Sequence, residues 1–435
     1  MAVTAVRRAL AAAMLIASPA LTAQTGEPPK TPEPPAPGVS ASLDSVRAER
    51  GARMSVAIIT YGPGEFVFEK FGHIALALAD SSTGQDIAFN WGMFDFGQPN
   101  FLGRFLTGDT KYWMEGYRTA DFNAAYMGEN RTIRKLELQL SAVQRGAIAD
   151  YVRWNAQDAN KYYRYDYYGD NCATRVRDLL NWALQGQLDA PFQALGSGRT
   201  WRNETARVTA TDPLVYPGIQ VALGRNADHV LTKWEESFLP ELLANHVAAL
   251  TVRSANGAPV KLVVRDSVLF TSTRAPMPEQ APSRVLMAMV LGLVLAAIVV
   301  MLPGVGSALA RFALGAFSVL WFGLGGLLGT ALLLAGTVTK HMPYMGANLT
   351  VLQLHPLMLI AAVVITMASW RGARSRAALG VSVLIAVLSL VGLLLQLVPS
   401  LHQQSGVVLA VVVPVQVAFA VAMWRLPRNT ARGRT

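Results

Sequence analysis

Cysteine is almost absent from the sequence, since the 435 residues contain only one, Cys172. A single thiol excludes a disulfide within the chain and the paired cysteine spacings of structural zinc sites. The six histidines are scattered, and no glycine-rich phosphate loop stands between a strand and a helix. We therefore expect no metal and no other cofactor, and the lone cysteine needs an explanation of its own.

Charged residues are also scarce, at 15% of the chain, whereas hydrophobic residues make up 52%. The net charge of +10 would be compatible with nucleic-acid binding. However, much of the excess is arginine beside apolar runs and at the C-terminus, and no nucleic-acid recognition motif accompanies it. The composition therefore predicts a protein that is integral to a membrane and does not bind nucleic acid.

The N-terminal segment 1–23 has the pattern of a secretory signal peptide. Two arginines precede a short apolar run, Ala9 to Ala17, and small residues that suit cleavage follow. An uncleaved N-terminal anchor is the alternative, although the run is short for a membrane span. Residues 24–50 are rich in proline over their first half and are predicted to form an extended linker.

The rest of the chain divides into a soluble and an apolar part. Residues 51–280 mix strand and helix patterns, which predicts an α+β domain. Residues 284–424 are almost wholly apolar and predict an all-α bundle of transmembrane helices. Five segments are about long enough to cross a bilayer, at roughly 285–302, 312–337, 353–369, 377–398 and 406–424.

Basic residues in the short connections predict the topology. If residues 51–280 lie outside, the inner connections contain Arg311, Arg371, Arg374 and Arg376, followed by a basic cytoplasmic tail, 425–435. The outer connections contain only Lys340. Positive residues favour the cytoplasmic side, so the soluble domain is predicted to be extracytoplasmic.

Cys172 lies where a helix is predicted to begin. Asp170 and Asn171 precede it, and either can act as an N-cap. The free N–H groups and positive potential of a helix N-terminus stabilise a thiolate, lower its pKa and could hold an oxyanion. This context favours a nucleophile over the alternative of a buried, inert cysteine.

His73 is the histidine best placed to act as the base. It opens an apolar, strand-like run after Gly72, whereas the other histidines lie in or near the membrane half or in ordinary helical and loop contexts. A histidine at a strand start that faces a helix N-terminus is a papain-type arrangement. Spacing alone leaves this pairing open.

Several short motifs together resemble the DUF4105 family, which belongs to a circularly permuted branch of the papain-like NlpC/P60 superfamily. In that branch the histidine precedes the cysteine. The motifs are Phe71-Gly72-His73, Asn90-Trp91-Gly92, Gly108-Asp109-Thr110-Lys111-Tyr112, Asn130-Arg131 and Asp170-Asn171-Cys172-Ala173-Thr174-Arg175. The resemblance covers roughly residues 50 to 250 and extends to His341-Met342-Pro343 and Asn348-Leu349 in the apolar half.

The resemblance implies a thiol-dependent lipoprotein N-acyltransferase of the Lnb type in the bacterial inner membrane, with its catalytic domain in the periplasm. Cys172 would take an acyl chain from a diacylglyceryl donor, a membrane phospholipid or a lipoprotein. The thioester would then pass the chain to the N-terminal amine of a lipoprotein acceptor. The alternatives are a membrane-anchored cysteine peptidase or amidase of the cell wall, and a non-catalytic receptor or assembly factor.

Further residues are predicted to support this pair. Asn90 is the candidate for orienting His73, with Asp80 and Asp86 as alternatives. Tyr61, Tyr168 and Asn171 are candidates for the oxyanion site. His341, Asn348 and His355 are polar residues at or near the outer side of the apolar half, where such residues are functional candidates; interfacial anchoring or backbone pairing are the alternatives.

Overall fold

The computed structural model describes residues 32–428. The predicted signal peptide (1–23), the first part of the predicted linker (24–31) and most of the predicted basic tail (429–435) lie outside the described residues.

The N-terminal domain is built on an antiparallel sheet of seven strands. The strands are β1 Met54–Tyr61, β2 His73–Asp80, β3 Gln85–Met93, β4 Lys111–Arg118, β5 Ile133–Leu138, β6 Tyr162–Arg164 and, after the short pair β7 Thr251–Arg253 and β8 Pro259–Lys261, β9 Val263–Phe270. Their order in the sheet is β6-β4-β3-β2-β1-β5-β9. The first residue of β2, His73, therefore lies opposite the last residue of β1, Tyr61.

Helices and loops cover both faces of this sheet. The helices are α1 Ala41–Gly51, α2 Phe101–Thr107, α3 Thr119–Gly128, α4 Ala142–Asn155, α5 Cys172–Ala183, α6 Asp189–Phe192, α7 Trp201–Val208, α8 Val215–Ala222, α9 Lys233–Glu236 and α10 Pro240–Ala249. The mixture of a sheet with separate helices confirms the predicted α+β class of the domain.

Alternation along β2 divides the core in two. Ile74 and Leu76 pack on one face with residues of α4, α5 and α10, and Cys172 belongs to this cluster. Ala75 and Ala77 point to the other face, where Phe122 and Tyr126 of α3 pack. The start of α5 and the inner side of α3 thus lie on opposite faces of the same strand.

Part of the predicted linker is folded. Residues 41–51 form α1, which packs against α4, and Arg47 is only 1% exposed. Its guanidinium pairs with Asp150 at 2.8 Å and donates to the carbonyl of Pro35 at 2.8 Å. A buried ion pair, rather than an apolar stripe, fixes this helix, so hydrophobic periodicity does not predict it.

The C-terminal region is helical. It contains α11 Val285–Val305, α12 Ala308–Val338, α13 Met342–Met345, α14 Met358–Arg371, α15 Arg376–Leu395 and α16 Gly406–Arg425. In residues 32–428, four of these are long and apolar enough to cross a membrane: α11, α12, α15 and α16.

The third predicted span is shorter than expected. The sequence predicts a span at 353–369, but α14 begins only at Met358 and has 14 residues. A 3₁₀ helix, Leu349–Leu352, and the His355-Pro356 turn precede it. Proline lacks an N–H and restricts the residue before it. Residues 353–357 of the predicted span are therefore not part of the α-helix.

The outer loops of the helical region bind the N-terminal domain. Asn348 donates to the carbonyls of Val221 and Ala222 at 2.9 and 3.1 Å. Tyr344 donates to Asp166 at 2.6 Å. These contacts hold the domain against the outer ends of the membrane helices.

Candidate functional site

The start of α5 is fixed by its N-cap. Asn171 accepts hydrogen bonds from the N–H groups of Ala173 at 2.9 Å and Thr174 at 3.0 Å. Its amide donates to the carbonyls of Tyr167 and Phe238 at 2.8 and 3.0 Å. Since every polar atom of the Asn171 side chain is engaged, its role in this geometry is to build the helix start.

Cys172 is the first residue of α5, and its side chain lies against the adjacent ends of β2 and β3. The backbone N–H of Ile74, in β2, is close enough to the sulfur to stabilise a thiolate. In β3, a Cβ added to Gly92 would lie 3.7 Å from the Cys172 Cβ. Gly92 has a φ of +99°, which a residue with a side chain adopts only with strain. The helix N-terminus therefore meets the sheet at a glycine.

His73 stands at the same end of the sheet. Its ring lies nearly parallel to the ring of Tyr126, with 6.1 Å between centroids, and 6.2 Å from Tyr61. Both rings belong to the cluster under α3. Within residues 32–428, the Nε2 atom of His73 is buried and has no hydrogen-bond partner.

The structure brings Cys172 and His73 to neighbouring positions without joining them. The thiol lies beside the N–H of Ile74, which directly follows His73. The imidazole begins on the α3 face of β2 and the thiol on the α5 face, and the described part of the chain contains no hydrogen bond between them. The two side chains thus lie at the same end of β2, on opposite faces of the strand.

Both groups are neutral in this state. Burial raises the pKa of Cys172 to about 11, although three backbone N–H groups and Arg131 act to lower it. Burial lowers the pKa of His73 to about 4, and the positive charge of Arg131 acts in the same direction. The sequence predicts a lowered pKa for the thiol; the structure contradicts this, because desolvation outweighs the helix N-terminus.

Asn90, the predicted orienting residue, lies close to His73. The register places it opposite Ala75 on β3, diagonally across from His73 on the same face. Its side chain raises the pKa of the imidazole, and its amide donates to the carbonyl of Glu115 at 2.9 Å. The Oδ1 atom is buried and has no regular hydrogen-bond partner among the described residues. Asn90 therefore lies close enough to the imidazole to affect its protonation in this geometry.

The two alternative carboxylates are at the wrong end of the sheet. Asp80 is the last residue of β2 and pairs with Gln85. Asp86 lies next to this turn, and it accepts a hydrogen bond from Thr119 at 2.6 Å. Since His73 is the first residue of β2, neither carboxylate can reach it.

Sequence reasoning assigned no role to Arg131 or to Tyr126. Arg131 is 4% exposed, and its guanidinium carbon lies 4.4 Å from the centroid of the Tyr126 ring. It pairs with Glu129 at 3.2 Å and Glu69 at 3.7 Å. Its charge acts on both the thiol and the imidazole. The Asn130-Arg131 motif was a signal for it, but the sequence could not indicate what the arginine faces.

The two tyrosines predicted as oxyanion donors are engaged elsewhere. Tyr61 donates from its hydroxyl to Asn123 at 2.8 Å. The hydroxyl of Tyr168 lies 2.8 Å from the Thr205 hydroxyl in a second cluster, around Phe238. The backbone N–H groups near the sulfur are better placed for an oxyanion than either phenol.

The three membrane-side candidates connect elements. The His341 ring donates to the carbonyl of Phe105 at 3.0 Å. Asn348 binds α8, as described above, and accepts from Gln403 at 2.9 Å. His355 accepts from the N–H of Leu357 at 3.2 Å, which matches the alternative of backbone pairing. The geometry gives His341 and Asn348 a structural role between the domain and the membrane helices.

A cavity of about 950 Å³ opens beside Tyr61 and Gly72, next to His73. Its lining is mixed in charge. Basic residues are Lys70, Arg134, Arg199, Arg207 and Arg274, and acidic residues are Glu241 and Glu279. The cavity therefore suits a polar, charged molecule.

Comparison with protein families decides the identity of the chain. A model of the Lnb N-terminal periplasmic domain matches residues 49–205, and a model of the Lnb transmembrane domain matches residues 280–429. The chain belongs to the Lnb family. As a member of the Lnb family it is an inner-membrane protein whose N-terminal domain faces the periplasm, which confirms the predicted extracytoplasmic position of the soluble domain. No curated protein and no solved structure matches the chain.

Within the Lnb family match, the first model contains Cys172, His73 and Asn90, and the second contains His341 and Asn348. The candidate site and the loops that dock on it therefore come from the two matched regions. The cavity beside Gly72 is lined largely by residues beyond position 205, between the two models.

Proposed function

We propose that this chain is a thiol-dependent acyltransferase that moves an acyl chain from a diacylglyceryl donor to the N-terminal amine of a lipoprotein. The observation that carries the proposal is the position of Cys172. The only thiol of the chain is the first residue of a capped helix, and it touches the strand that begins with His73. Membership of the Lnb family is consistent with this role.

The domain is then a permuted papain-like fold. A helix that begins with the cysteine packs on an antiparallel sheet whose second strand carries the histidine. The histidine precedes the cysteine in the chain, as in the circularly permuted branch. We also propose that α14 forms a fifth span together with the non-helical residues before it.

In the first step, the Cys172 sulfur attacks the carbonyl carbon of the donor ester while its proton passes to His73. The C–S bond forms, the ester C–O bond breaks, and the glyceryl oxygen leaves with the proton from His73. The N–H groups of Cys172 and Ile74 lie near the sulfur and would stabilise the oxyanion.

In the second step, the free amine of the lipoprotein attacks the thioester carbonyl. The C–N bond forms, the C–S bond breaks, and the amine proton passes through His73 back to the sulfur. The products are an amide and the free thiol, so no further reactant is needed. The buried surroundings of Cys172 would keep water from the thioester between the steps.

The cavity beside Gly72 is the proposed entrance for the polar N-terminal segment of the lipoprotein. It adjoins Tyr61 and lies on the His73 side of the site. Although basic residues outnumber acidic residues in its lining, Glu241 and Glu279 supply two carboxylates that would pair with an ammonium group.

The proposed function predicts an acyl thioester on Cys172, and detecting this thioester tests the proposal. The purified full-length protein, incubated with a diacylated lipoprotein in lipid vesicles, should gain the mass of one acyl chain. Hydroxylamine should remove it, and the Cys172→Ser variant should show no hydroxylamine-labile adduct. Because the chain has one cysteine, a thioester can form at only one position.

The reaction product is a second, independent measurement. Mass spectrometry of the lipoprotein N-terminus should show an added N-acyl group with the wild type, and its loss with Cys172→Ala and with His73→Ala. An unmodified lipoprotein together with cleavage of cell-wall peptides by the wild type would overturn acyl transfer in favour of a peptidase.

A further inference from the structure

Six large apolar side chains form an exposed surface at the site end of the sheet. We call them the aromatic patch: Phe66, Phe68, Phe96, Leu102, Phe105 and Leu106. They are between 43% and 67% exposed. A soluble surface rarely exposes so many large apolar side chains together without a partner.

Ring contacts make the patch continuous. The Phe68 and Phe96 rings lie 6.2 Å apart, Phe96 and Phe101 5.1 Å, and Phe101 and Phe105 6.4 Å. The residues come from three separate stretches of chain: the loop after β1, the loop after β3, and α2. The fold therefore assembles the patch from distant segments.

The patch is tied to the outer end of a membrane helix. Beside α2, the N–H of Lys340 donates to the carbonyl of Thr107 at 2.9 Å. The Lys340 ammonium pairs with Asp109 at 2.5 Å, and the His341 ring holds the carbonyl of Phe105. Lys340 lies two residues beyond the end of α12.

The length of α12 determines the position of the aromatic patch along the bilayer normal. From Arg311 near its cytoplasmic end to Val338 at its outer end, the helix rises about 41 Å, at 1.5 Å per residue. A bilayer with its headgroup layers is about 40–45 Å thick. Val338 therefore reaches the headgroup layer of the periplasmic leaflet, and α2 lies beside it.

A row of aromatic rings leads from the patch to the thiol. The Phe94 ring lies 5.5 Å from Phe68 and 5.1 Å from Tyr112. Tyr112 stacks on Tyr165 at 4.3 Å. Tyr165 packs against the core cluster that contains Cys172, and both side chains flank Gly92.

We propose that the aromatic patch inserts into the periplasmic leaflet and that the acyl chain of the donor travels along Phe94, Tyr112 and Tyr165 to Cys172. The occupant of the patch is bilayer lipid, because the patch is fixed at the height of the leaflet by its bonds to Lys340 and His341. The insertion stands without the proposed function, whereas the acyl route rests on it.

Insertion is tested by the environment of a single fluorophore. In the full-length Cys172→Ser background, Leu102→Cys and Leu106→Cys each carry one thiol for the NBD label. The matched control is Val264→Cys, an equally exposed apolar residue near the start of β9, at the opposite end of the sheet. The labelled proteins are placed in phosphatidylcholine vesicles with or without spin-labelled phosphatidylcholine.

The expected result is strong quenching of NBD at positions 102 and 106 by the spin-labelled lipid, several-fold above that at 264. Equal, weak quenching at all three positions would overturn the insertion. Quenching without any acyl transfer by the wild-type chain would leave the insertion standing and reject the proposed function.

The acyl route is tested with the double variant Leu102→Asp, Leu106→Asp against the control Val264→Asp. In vesicles, the double variant should acylate a lipoprotein at least tenfold more slowly than the control. Both should form the Cys172 adduct at the wild-type rate with a short-chain, water-soluble thioester. An unchanged rate on vesicle-bound lipoprotein would contradict the route.

Discussion

The thiol of Cys172 experiences two opposing effects. Backbone N–H groups of Ile74, Cys172 and Ala173 favour the thiolate, whereas burial favours the neutral thiol, and burial is the larger. A residue can thus lie at a helix N-terminus and still have a raised pKa when little solvent reaches it. In the proposed mechanism, reactivity depends on the substrate and on His73 rather than on a preformed thiolate.

The pH dependence of Cys172 alkylation measures the ionisation of the thiol directly, because the chain has no other thiol. The rate of reaction with iodoacetamide should rise with pH up to about 11, the pKa of the buried thiol. An activated thiolate would instead give a plateau near neutral pH. The rate is followed by intact mass, with the Cys172→Ala protein as the blank.

The imidazole of His73 gives a pH dependence of stability. Its pKa is about 4 in the folded protein, against 6.5 when unperturbed. Between these values the unfolded chain binds more protons, so stability should rise with pH from about 4 to 6.5 and not change further above it.

The matched variant for this prediction is His73→Gln, which cannot titrate. The difference in thermal unfolding temperature between the wild type and His73→Gln should change across this window and be constant above it. A difference that is independent of pH from 4 to 7 would show that burial does not depress the pKa of His73.

The sequence predicts part of this site. Asn171, Cys172 and the strand start at His73 are local patterns, and the structure contains them as predicted. Arg131 and Tyr126 come from other elements, and the sequence has no local signal that they lie near this end of the sheet. The raised pKa of the thiol could not be predicted from the local sequence either, because burial depends on the whole fold.

At the level of elements, we expect Asn171 to contribute more to the stability of the fold than an ordinary N-cap does. It caps α5 and also donates to two carbonyls, the part-buried one of Tyr167 and the buried one of Phe238. Ser141 caps α4 with a capping box but without such further bonds. We expect Asn171→Ala to cost about 2–3 kcal/mol and Ser141→Ala about 1 kcal/mol.

Thermal unfolding of the two variants, in the same detergent, gives the comparison. Asn171→Ala should show the larger decrease in melting temperature. Equal decreases would mean that the bonds to Tyr167 and Phe238 contribute nothing to stability.

The elements differ in how well the sequence predicts them. Strand β1 follows from a local pattern, because Met54 to Tyr61 is a run of β-branched and apolar residues. The sequence predicts a linker where α1 forms. Because the helix is held by the pairing of Arg47 with Asp150 and not by an apolar stripe, hydrophobic periodicity does not indicate it. Helix α14 is shorter than its apolar run because Pro356 interrupts it.

At the scale of the whole molecule, a few polar side chains join the periplasmic domain to the membrane helices. Asn348 makes two bonds to α8 and two within the outer loops. Removing a buried hydrogen-bonding group leaves its partners unsatisfied, at about 1–3 kcal/mol. We expect Asn348→Ala to loosen the domain from the helices.

Limited proteolysis within residues 271–284, the connection between β9 and α11, measures that loosening. Cleavage should be faster in Asn348→Ala than in the wild type. Asn256→Ala, in the exposed turn between β7 and β8, is the control and should behave as the wild type. Equal cleavage of all three would contradict the role of Asn348.

The overall topology was predictable, whereas the docking of the two halves was not. The distribution of arginine among short connections reflects a simple rule about the membrane. Docking depends on single side chains such as Asn348 and Tyr344, whose partners lie more than a hundred residues away.

The burial of Cys172 has a consequence for the lifetime of the protein. Peroxides react with thiolates, not thiols, and at pH 7 a pKa of about 11 leaves roughly one thiol in 10⁴ ionised. An unperturbed cysteine is a few per cent ionised at this pH. A periplasmic protein whose one thiol is held in this way should keep that thiol through an oxidant pulse that inactivates an exposed thiol, without needing a reductant to restore it.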